Sequence, residues 1–469
     1  MNRLFKLLII TLLISLLSAC KEDRQPQQKE AKYVFFLIGD GMGLAHRAMT
    51  EMYLASLDNE IGQKRLLMNL FPAQGYAATY SMNSYITCSA ASGTALATGK
   101  KTNNGMIACS PDTIPYLTIA EAAKKQGKSV GILTNVMLNH ATPAAFSAHA
   151  PSRSNTDIIR NNQLISGFDY FAGGYMTIEK KITQADQNNL LEQAKENKYQ
   201  VFSSKKELKR ALDHEKVIFF ADTLESGGAM LYAIDYPKNR ITLKDLFETG
   251  IEKLSANPNG FFMMLESGKI DWAAHSNDPV TIIHEIIDFD NIIRSAFDFY
   301  ENHPDETLIV VTADHETGGL ALGNFQRGYT LKPYLLSYQK GSIERIKEAY
   351  QVFKTDYSNK DKNSNAPFEF VDMWFGFGNA EFALNKQDSI AIQEAWKKDI
   401  AADKESASEL VKRAKNILAQ KSGLGWTTGA HTGIPVPVSA IGVGSELFDG
   451  YYDNTDIPKK MAELMHVEL

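Results

Sequence analysis

YVFFLIGDG, residues 33–41, is a run of six apolar residues that ends in an acid between two glycines. Four further apolar runs of this kind lie at residues 129–133, 261–265, 308–312 and 439–443. Strands that are apolar on both faces belong to a largely parallel sheet that is covered on both sides. Amphipathic stretches, which predict crossover helices, lie between the runs at residues 118–126, 243–254 and 281–300. The chain is therefore predicted to have an α/β fold, a three-layer helix-sheet-helix sandwich around a large, mostly parallel sheet.

Length and composition are those of an enzyme-sized globular protein. The chain has 469 residues, of which 44% are hydrophobic and 22% are charged, so it can bury a full core. Its formal charge of -6 at pH 7 provides no basic field that would hold a polyanion. Nucleic acid is therefore not expected as the main partner, and any phosphate must be held locally.

The first twenty residues are predicted to be a targeting segment. Residues 7–17 are apolar but too few to span a bilayer, and residues 17–20, Leu-Ser-Ala-Cys, resemble the bacterial lipobox. We expect residues 1–19 to be a lipoprotein signal peptide, Cys20 to carry the lipid anchor, and residues 20–31 to form a polar tether. The expected location is the cell envelope, on the periplasmic side of the outer membrane or at the cell surface. An ordinary secretory signal with an incidental cysteine is the alternative.

Acidic and histidine side chains follow three of the predicted strands. Asp40 follows the first apolar run, Glu266 follows the run at residues 261–265, and Asp314-His315 follow the run at residues 308–312. In an open α/β sheet, ligands collect at the carboxyl ends of the strands. Carboxylate oxygens and imidazole nitrogens are zinc ligands in proteins, so these positions predict a metal site at this edge. Asp40, between two glycines, has two oxygens with which to bridge two cations.

Two further histidines extend this set. Asp271 and His275 are four residues apart, which places both on one face of a short helix after Glu266. His431 lies in a glycine-flanked loop and could supply one more nitrogen ligand to the predicted metal site. A single acid after a strand is more often a helix cap, and a single histidine is more often a satisfied polar side chain. The combination of all these positions favours a metal cluster.

A small-residue segment upstream, residues 87–95, is predicted to begin a helix that ends near Gly99. Ser89 at this N-terminus would lie at the positive end of the helix dipole, which favours an alkoxide or a phosphate. A serine that is activated by a metal needs no histidine base. The alternative is a plain serine helix cap. Together with the metal cluster, Ser89 predicts metal-assisted transfer of a phosphoryl or similar group.

Six motifs, in this order along the chain, resemble those of the alkaline phosphatases. They are Gly39-Asp40-Gly41-Met42-Gly43, Ser89-Ala90-Ala91-Ser92-Gly93-Thr94-Ala95 with Thr98-Gly99, Ala141-Thr142-Pro143-Ala144-Ala145 with His149 and Arg153, Glu266 with Ile270-Asp271 and His275, Thr312-Ala313-Asp314-His315-Glu316-Thr317-Gly318-Gly319, and His431-Thr432-Gly433. Six motifs in one order are a specific signal. The resemblance implies an alkaline phosphatase-like fold, hydrolysis of small phosphate monoesters through a phosphoserine intermediate, and a possible homodimer.

The resemblance also implies the role of each matching residue. The residues that match the ligands of a first zinc ion are Asp271, His275 and His431. Those that match a second zinc site are Asp314, His315 and the bridging Asp40, with Ser89 as the nucleophile. A magnesium site is matched by Asp40, Thr142 and Glu266. Arg153 matches the arginine whose planar fork grips two phosphate oxygens. The implied cofactors are therefore two Zn²⁺ and one Mg²⁺.

Three positions depart from the best-known bacterial pattern of the family. Cys88 stands where many members have an aspartate that orients the arginine, His140 where some bacterial members have aspartate, and Trp272 where lysine or histidine is often found. Side chains at such positions contact the ligands, so they can change the metal preference of the third site and the affinity of the phosphate pocket. We therefore expect Arg153 to be held more loosely or by another group, and the identity of the third ion stays open.

Two segments of the expected catalytic domain, residues 32–469, carry no motif of the family. Residues 155–240 are interpreted as a variable insertion, and residues 323–428 as a lid- or crown-like insertion near the mouth of the site. The second segment contains a cluster of aromatic residues, namely Phe368, Phe370, Trp374, Phe375 and Phe377. Their rings either stack against a substrate or, as we favour, pack a small core within the insertion.

Two other functions stay open on the sequence alone. One is a phosphodiesterase or phosphonate monoester hydrolase of the same superfamily; such relatives often use threonine as the nucleophile and lack the third metal. Ser89, together with Thr142 and Glu266, therefore favours the monoesterase. The other is an envelope phosphate-binding protein without catalysis, and the complete set of matching ligands argues against it.

Overall fold

The computed structural model describes residues 30–176, 183–225, 227–358, 365–379, 381–402 and 407–469. The predicted signal peptide at residues 1–19, the predicted lipidation site Cys20 and most of the predicted tether lie outside the described residues. In the described parts of the chain, none of the helices has both the length and the apolar character needed to cross a membrane.

The strands of the described residues are β1 (Tyr33–Gly39), β2 (Ala73–Ala78), β3 (Ser129–Thr134), β4 (Tyr170–Gly173), β5 (Tyr199–Phe202), β6 (Lys216–Phe220), β7 (Phe261–Ser267), β8 (Thr307–Thr312), β9 (Glu316–Thr317), β10 (Leu320–Ala321), β11 (Gly425–Trp426), β12 (His431–Thr432), β13 (Val436–Gly442) and β14 (Gly450–Asp453). The α-helices are α1 (Leu44–Leu57), α2 (Ser89–Thr98), α3 (Ile119–Lys125), α4 (Ala141–Ser147), α5 (Thr156–Ile165), α6 (Gln184–Glu196), α7 (Leu243–Ser255), α8 (Lys269–His275), α9 (Pro279–Asn302), α10 (Ile343–Ser358), α11 (Ala366–Phe375), α12 (Lys386–Ala401), α13 (Glu409–Ser422) and α14 (Asp456–Met465).

Ten of these strands form one sheet, in the order β14-β2-β13-β8-β1-β7-β3-β4-β6-β5. Neighbouring strands run parallel except at β13, which is antiparallel to both β2 and β8. Each of the five predicted apolar runs overlaps a strand of this sheet, so the predicted large, mostly parallel sheet is confirmed. The segment at residues 155–240 supplies β4, β5 and β6, which form one edge of the sheet.

The central strand β1 shows how the sheet is covered. It lies between β7 and β8, and all of its residues are buried. Its neighbours Phe35 and Phe36 point to opposite faces, because side chains alternate along a strand. Phe35 packs against Phe247 of α7 and Phe299 of α9, whereas Phe36 packs against Phe146 of α4. Helices therefore cover both faces, as the predicted three-layer sandwich requires.

The three predicted amphipathic helices are present with small shifts at their ends. They correspond to α3, α7 and α9, and a side-chain cap starts each one. In α9 the cap is Asp278, whose carboxylate accepts from the backbone N of Thr281 at 3.2 Å. Pro279 takes the first helical position, where no N–H is needed, so the helix starts two residues before the predicted boundary.

The segment at residues 323–428 contains the four helices α10 to α13 and the aromatic cluster. Phe370, Phe375 and Phe377 are buried, and the other two rings of the cluster are half-buried against them. The ring of Phe370 lies 5.1 Å from that of Tyr350 and 5.2 Å from that of Phe353, both on α10. These rings therefore pack against neighbouring helices of the same segment, and the buried ones are continuous with the main core.

Replacing Phe35 with alanine should lower the free energy of unfolding by about 3–5 kcal/mol, because a ring is deleted from a fully covered strand. The midpoint of urea unfolding measures the change. Ile61→Ala, at a side chain that is fully exposed, is the matched control and should leave the midpoint in place. If Phe35→Ala and Ile61→Ala unfolded at the same urea concentration, Phe35 would not belong to the core as described.

Candidate metal centre

The carboxyl ends of three adjacent strands bring the predicted ligands to one edge of the sheet. The parallel register pairs Ile38 of β1 with Glu266 of β7 and with Thr312 of β8. Asp40 and Asp314 each follow two residues after these strand positions, so both acids lie at the same edge of the sheet as Glu266. The backbone there is tightly packed: a Cβ on Gly41, whose φ is +70°, would lie 2.9 Å from both Asp271 Oδ1 and Thr317 Oγ1.

Three groups of side chains in the described residues have ligand atoms within 4.8 Å of one another. The groups are Asp271, His275 and His431; Asp40, Asp271 and His315; and Asp40, His140 and Glu266. The remaining two predicted ligands adjoin these groups, because Asp314 Oδ2 lies 3.1 Å from His315 Nε2 and Thr142 Oγ1 donates to Asp40 Oδ2 at 3.2 Å. The structure therefore brings all eight predicted ligands together.

The first group consists of two histidines and one acid whose ligand atoms face each other. Asp271 and His275 share a face of α8, one turn apart, as the spacing predicts. His275 Nδ1 donates to Gly429 O at 2.7 Å, and His431 Nδ1 donates to Thr87 O at 2.9 Å. These bonds turn both Nε2 atoms inward, 3.2 Å apart. Two such nitrogens repel unless a proton or a cation lies between them, so the geometry fits a metal ion.

The second group surrounds the Nε2 atom of His315. The strand β8 ends at Thr312, so Asp314 and His315 lie in the loop that follows it, as predicted. Asp314 Oδ1 accepts from the backbone N of Gly41 at 3.1 Å, and its Oδ2 has no hydrogen-bond partner in the described residues. Asp40 Oδ1 lies 3.4 Å from His315 Nε2 and is likewise without a hydrogen-bond partner there. Buried carboxylate oxygens of this kind are neutralised by a bound cation or by a proton.

The third group is rich in oxygen. Glu266 Oε2 accepts from the hydroxyl of Thr134, whereas its Oε1 has no hydrogen-bond partner among the described side chains and backbone. Thr142 belongs to α4 and turns its hydroxyl to Asp40. All of these side chains are buried. The carboxylates of Asp40 and Glu266 and the hydroxyl of Thr142 form an oxygen ligand set, and the imidazole of His140 adjoins it.

The electrostatics of the centre follow from the burial of several acids at one place. Burial, reinforced by the charge of Asp314, raises the pKa of Asp40 well above its usual range. Burial and the charge of Asp271 raise the pKa of Asp314 to about 7, and burial raises the pKa of Glu266. The hydrogen bond with Asp271 raises the pKa of His275 to about 9. Without cations the centre therefore retains protons, and metal ions must displace them.

Ser89 lies beside the second group, at the start of α2. Its Oγ is 3.3 Å from His315 Nε2, and the side chain is 2% exposed. Cys88 occupies the cap position and Ser89 is the first helical residue, so the hydroxyl of Ser89 is not the helix cap. The helix ends at Thr98, and Gly99 follows with a φ of 67°, as the sequence predicts.

Arg153 has a partner other than an aspartate. Its Nη2 donates to His140 Nε2 at 2.9 Å, and its backbone N donates to Gly105 O at 2.7 Å. Cys88 Sγ accepts from the backbone N of Gly105 at 3.1 Å and so supports Arg153 only through the backbone. Burial and the charge of Arg153 lower the pKa of His140 to about 3, so the imidazole is neutral and can accept. The ring of Trp272 packs edge-on against His140, 6.0 Å away.

Two hydroxyl groups that touch the ligands were missed by the sequence reasoning. Thr317 Oγ1 donates to Asp271 Oδ1 at 2.6 Å, and Thr134 Oγ1 donates to Glu266. Thr134 ends β3 directly opposite Glu266 in the register, so the rule about strand ends could have found it. Thr317 was part of a quoted motif, but no feature of the sequence connects it with Asp271, 46 residues away.

Comparisons with known proteins agree with the six motifs. The family model described as alkaline phosphatase matches residues 31–467. Alkaline phosphatase 3 of Bacillus subtilis (strain 168) is 31% identical over 461 residues, which cover 96% of this chain and 93% of that protein. Alkaline phosphatase 4 of the same organism is 33% identical over 451 residues, which cover 94% and 89%.

A solved structure supports the same conclusion. The cold-active alkaline phosphatase from the psychrophile Shewanella sp. superposes with a TM-score of 0.78 at 32% identity, and the match covers 92% of this chain and 99% of that one. Sequence, fold and clustered metal-binding residues therefore agree over nearly the whole chain. The chain belongs to the alkaline phosphatase family, whose members are metal-binding enzymes that hydrolyse phosphate monoesters.

Proposed function

We propose that this phosphomonoesterase transfers the phosphoryl group of its substrate first to Ser89 and then to water. The observation that carries this proposal is the position of the Ser89 hydroxyl, 3.3 Å from His315 Nε2. The same Nε2 is approached by oxygens of Asp40 and Asp314 that have no hydrogen-bond partner among the described residues. As the first residue of α2, Ser89 also lies at the positive end of a helix dipole, which favours the alkoxide and the phosphoryl oxygens.

We assign the cofactors as two Zn²⁺ and one Mg²⁺. The residues that would hold the first zinc are Asp271, His275 and His431, and those for the second are Asp40, Asp314 and His315. Imidazole and carboxylate together suit zinc. The oxygen set of Asp40, Thr142 and Glu266 suits magnesium. When bound, the ions lower the pKa of the serine hydroxyl and neutralise the charge that develops on the leaving oxygen.

The side chains of the enzyme carry the two transfers. Ser89 Oγ gives its proton to solvent and attacks phosphorus, so that a phosphoserine forms. The bond from phosphorus to the ester oxygen breaks, and the leaving oxygen takes a proton from water and departs as the alcohol. A water molecule then attacks the phosphoserine, releases inorganic phosphate and restores the hydroxyl. The guanidinium of Arg153, held by His140, binds two phosphoryl oxygens through its planar fork.

The segment at residues 323–428 is proposed to border the mouth of the site. Ser276, next to the proposed ligand His275, donates through its hydroxyl to Glu344 at 3.3 Å. The ammonium group of Lys415 donates to the backbone O of the same serine. Both partners belong to this segment, so it braces the end of α8 and is placed to limit which esters enter.

We also propose that the enzyme is a lipoprotein of the cell envelope. The support is the lipobox-like Leu17-Ser18-Ala19-Cys20 after an apolar stretch, which implies removal of residues 1–19 and a lipid on Cys20. The location that follows is the periplasmic side of the outer membrane or the cell surface. A homodimer is part of the proposal, because members of this family are commonly dimers.

Ser89→Ala should reduce the turnover of a phosphate monoester by at least about a thousandfold, because the nucleophile is removed. Metal content, measured by mass spectrometry, should be unchanged, and acid-trapped radiolabelled phosphoprotein should form only in the unmodified enzyme. Ser56→Ala, on the remote helix α1, is the control and should remain active. Full activity of Ser89→Ala, or a diester hydrolysed as fast as the monoester, would contradict the proposal.

Zinc binding should weaken as the pH falls from 8 to 6. The pKa of Asp314, at about 7, and the raised pKa values of Asp40 and Glu266 mean that protons compete with the metal more strongly at low pH. For each proton that the metal must displace from a carboxylate, the affinity falls about tenfold for every pH unit below the pKa of that carboxylate. Isothermal titration of the metal-free enzyme in two buffers of different ionisation enthalpy measures the protons released. A pH-independent affinity without proton release would refute the assignment.

Cys20→Ser should release the enzyme from the membrane fraction and abolish labelling with a fatty-acid probe in bacterial cells. Cys109→Ser, which removes a thiol buried in the fold, should keep both properties. Fractionation and detergent partition give the readout. Unchanged membrane association and labelling of the Cys20→Ser variant would exclude the lipid anchor.

A further inference from the structure

Glu316 is a buried carboxylate within the metal centre to which the proposed mechanism gives no role. It directly follows His315, and 3% of its surface is exposed. It lies in β9, whose two residues pair antiparallel with the two residues of β12. In this register Glu316 faces Thr432, and Thr317 faces His431. Glu316 is therefore placed at the junction of two segments that carry proposed ligands.

The carboxylate of Glu316 accepts hydrogen bonds from both segments. Its Oε1 accepts from the backbone N of Gly319 at 2.9 Å and of Leu320 at 3.4 Å. Its Oε2 accepts from the backbone N of Gly319 at 3.2 Å and from the hydroxyl of Thr432. All of these partners are donors, and an ionised carboxylate, which only accepts, satisfies them.

The segment that follows Asp40 packs against the same side chain. A Cβ on Gly43 would lie 2.4 Å from Glu316 Cγ, so the backbone of this turn touches the glutamate directly. His46 Nε2, at the start of α1, lies 3.9 Å from Glu316 Oε1, and both side chains are buried. Three segments with proposed ligands, those of Asp40, of His315 and of His431, thus meet at Glu316.

A two-residue strand is a weak support for a metal ligand. The backbone pairing of β12 with β9 involves two residues, and His431 is otherwise held by its hydrogen bond to Thr87 O. The bond from the Thr432 hydroxyl to Glu316 adds a side-chain connection one residue from His431. The opposite side of the carboxylate is fixed by the glycine turn after Thr317, where Gly319 has a φ of +58°. Glu316 therefore connects β12 with the turn that follows the loop of Asp314 and His315.

We propose that Glu316 is a positioning residue that fixes the distance between His431 and the ligands on the neighbouring segments, so that the centre retains zinc. The inference rests on the proposed ligation by His431 and His315. Partners that orient metal ligands typically change metal affinity about 10–100-fold when they are removed. The role of Glu316 is to act through the ligands, and it touches neither the phosphoryl group nor the leaving alcohol.

Glu316→Gln tests the proposal with almost no change in shape. Both carboxylate oxygens face the backbone N of Gly319, so the amide NH₂ of glutamine must oppose a donor in either orientation. We expect zinc to leave the holoenzyme at least about tenfold faster when a chelator is added. At saturating zinc, the KM for the substrate should change little. When the chelator removes zinc, kcat should fall as the metal is lost.

Variants of Thr432 test the same connection from the other side. Thr432→Val removes the hydroxyl at constant volume and should speed zinc release as Glu316→Gln does, whereas Thr432→Ser should retain zinc like the unmodified enzyme. The double variant Glu316→Gln/Thr432→Val should release zinc no faster than the more affected single variant, because both changes break one contact. Additive effects would contradict the proposal.

Glu51→Gln is the matched control. Glu51 is equally buried and accepts from the backbone N of Leu66 and from Asn69 Nδ2, both at 2.9 Å, but its partners carry no proposed ligand. It should lower the urea midpoint without changing zinc release. If Glu316→Gln and Thr432→Val retain zinc as firmly as the unmodified enzyme, the inference is overturned while the proposed function stands. If the unmodified enzyme itself binds no zinc, the metal assignment fails, and the inference fails with it.

Discussion

The burial of four carboxylates at one edge of the sheet is the constraint on which the centre depends. Asp40, Glu266, Asp271 and Asp314 are nearly or fully inaccessible to water. Burial and the charge of Asp271 help to raise the pKa values of the other three acids, whereas the pKa of Asp271 itself is held low by the neighbouring histidines. Like charges without hydration are costly unless cations compensate them. One oxygen each of Asp40, Glu266 and Asp314 has no hydrogen-bond partner in the part of the chain that the structure describes, so these oxygens are where a cation would bind. In the folded protein, either bound cations or retained protons must therefore neutralise this centre.

The parallel register of the strands places the acidic ligands side by side, and hydrogen bonds around them orient the ligand side chains. Adjacent strands deliver their acids to one edge because parallel neighbours end side by side. The imidazoles are then turned by backbone carbonyls, as at Thr87 and Gly429, which leaves each Nε2 free for the interior. Because Thr87 also precedes the helix of Ser89, one hydrogen bond links the nucleophile segment to a proposed ligand on β12.

The sequence predicted the features that depend on periodicity and on chain order. Apolar runs located the central strands, and strand ends together with an i, i+4 pair located the proposed ligands. The short edge strands β4 to β6 carry too few residues for a periodic signal, so residues 155–240 were interpreted only as an insertion. The hydrogen bond from Arg153 to His140 could not be predicted from the sequence either, because it depends on the path of the loop that follows α4. The same holds for Thr317, which meets Asp271 only in the folded chain.

The direction of β1 places its first residue and the metal centre at opposite ends of the strand. The chain enters the sheet at Tyr33, near the backbone bond from Ala31 N to Leu464 O, and it reaches the metal centre at Asp40 after one full strand of seven residues. The first and last residues of this strand are roughly 20 Å apart, at about 3.3 Å per residue. An attachment through Cys20, as we propose, would therefore join the chain at the end of β1 that is away from the metal centre.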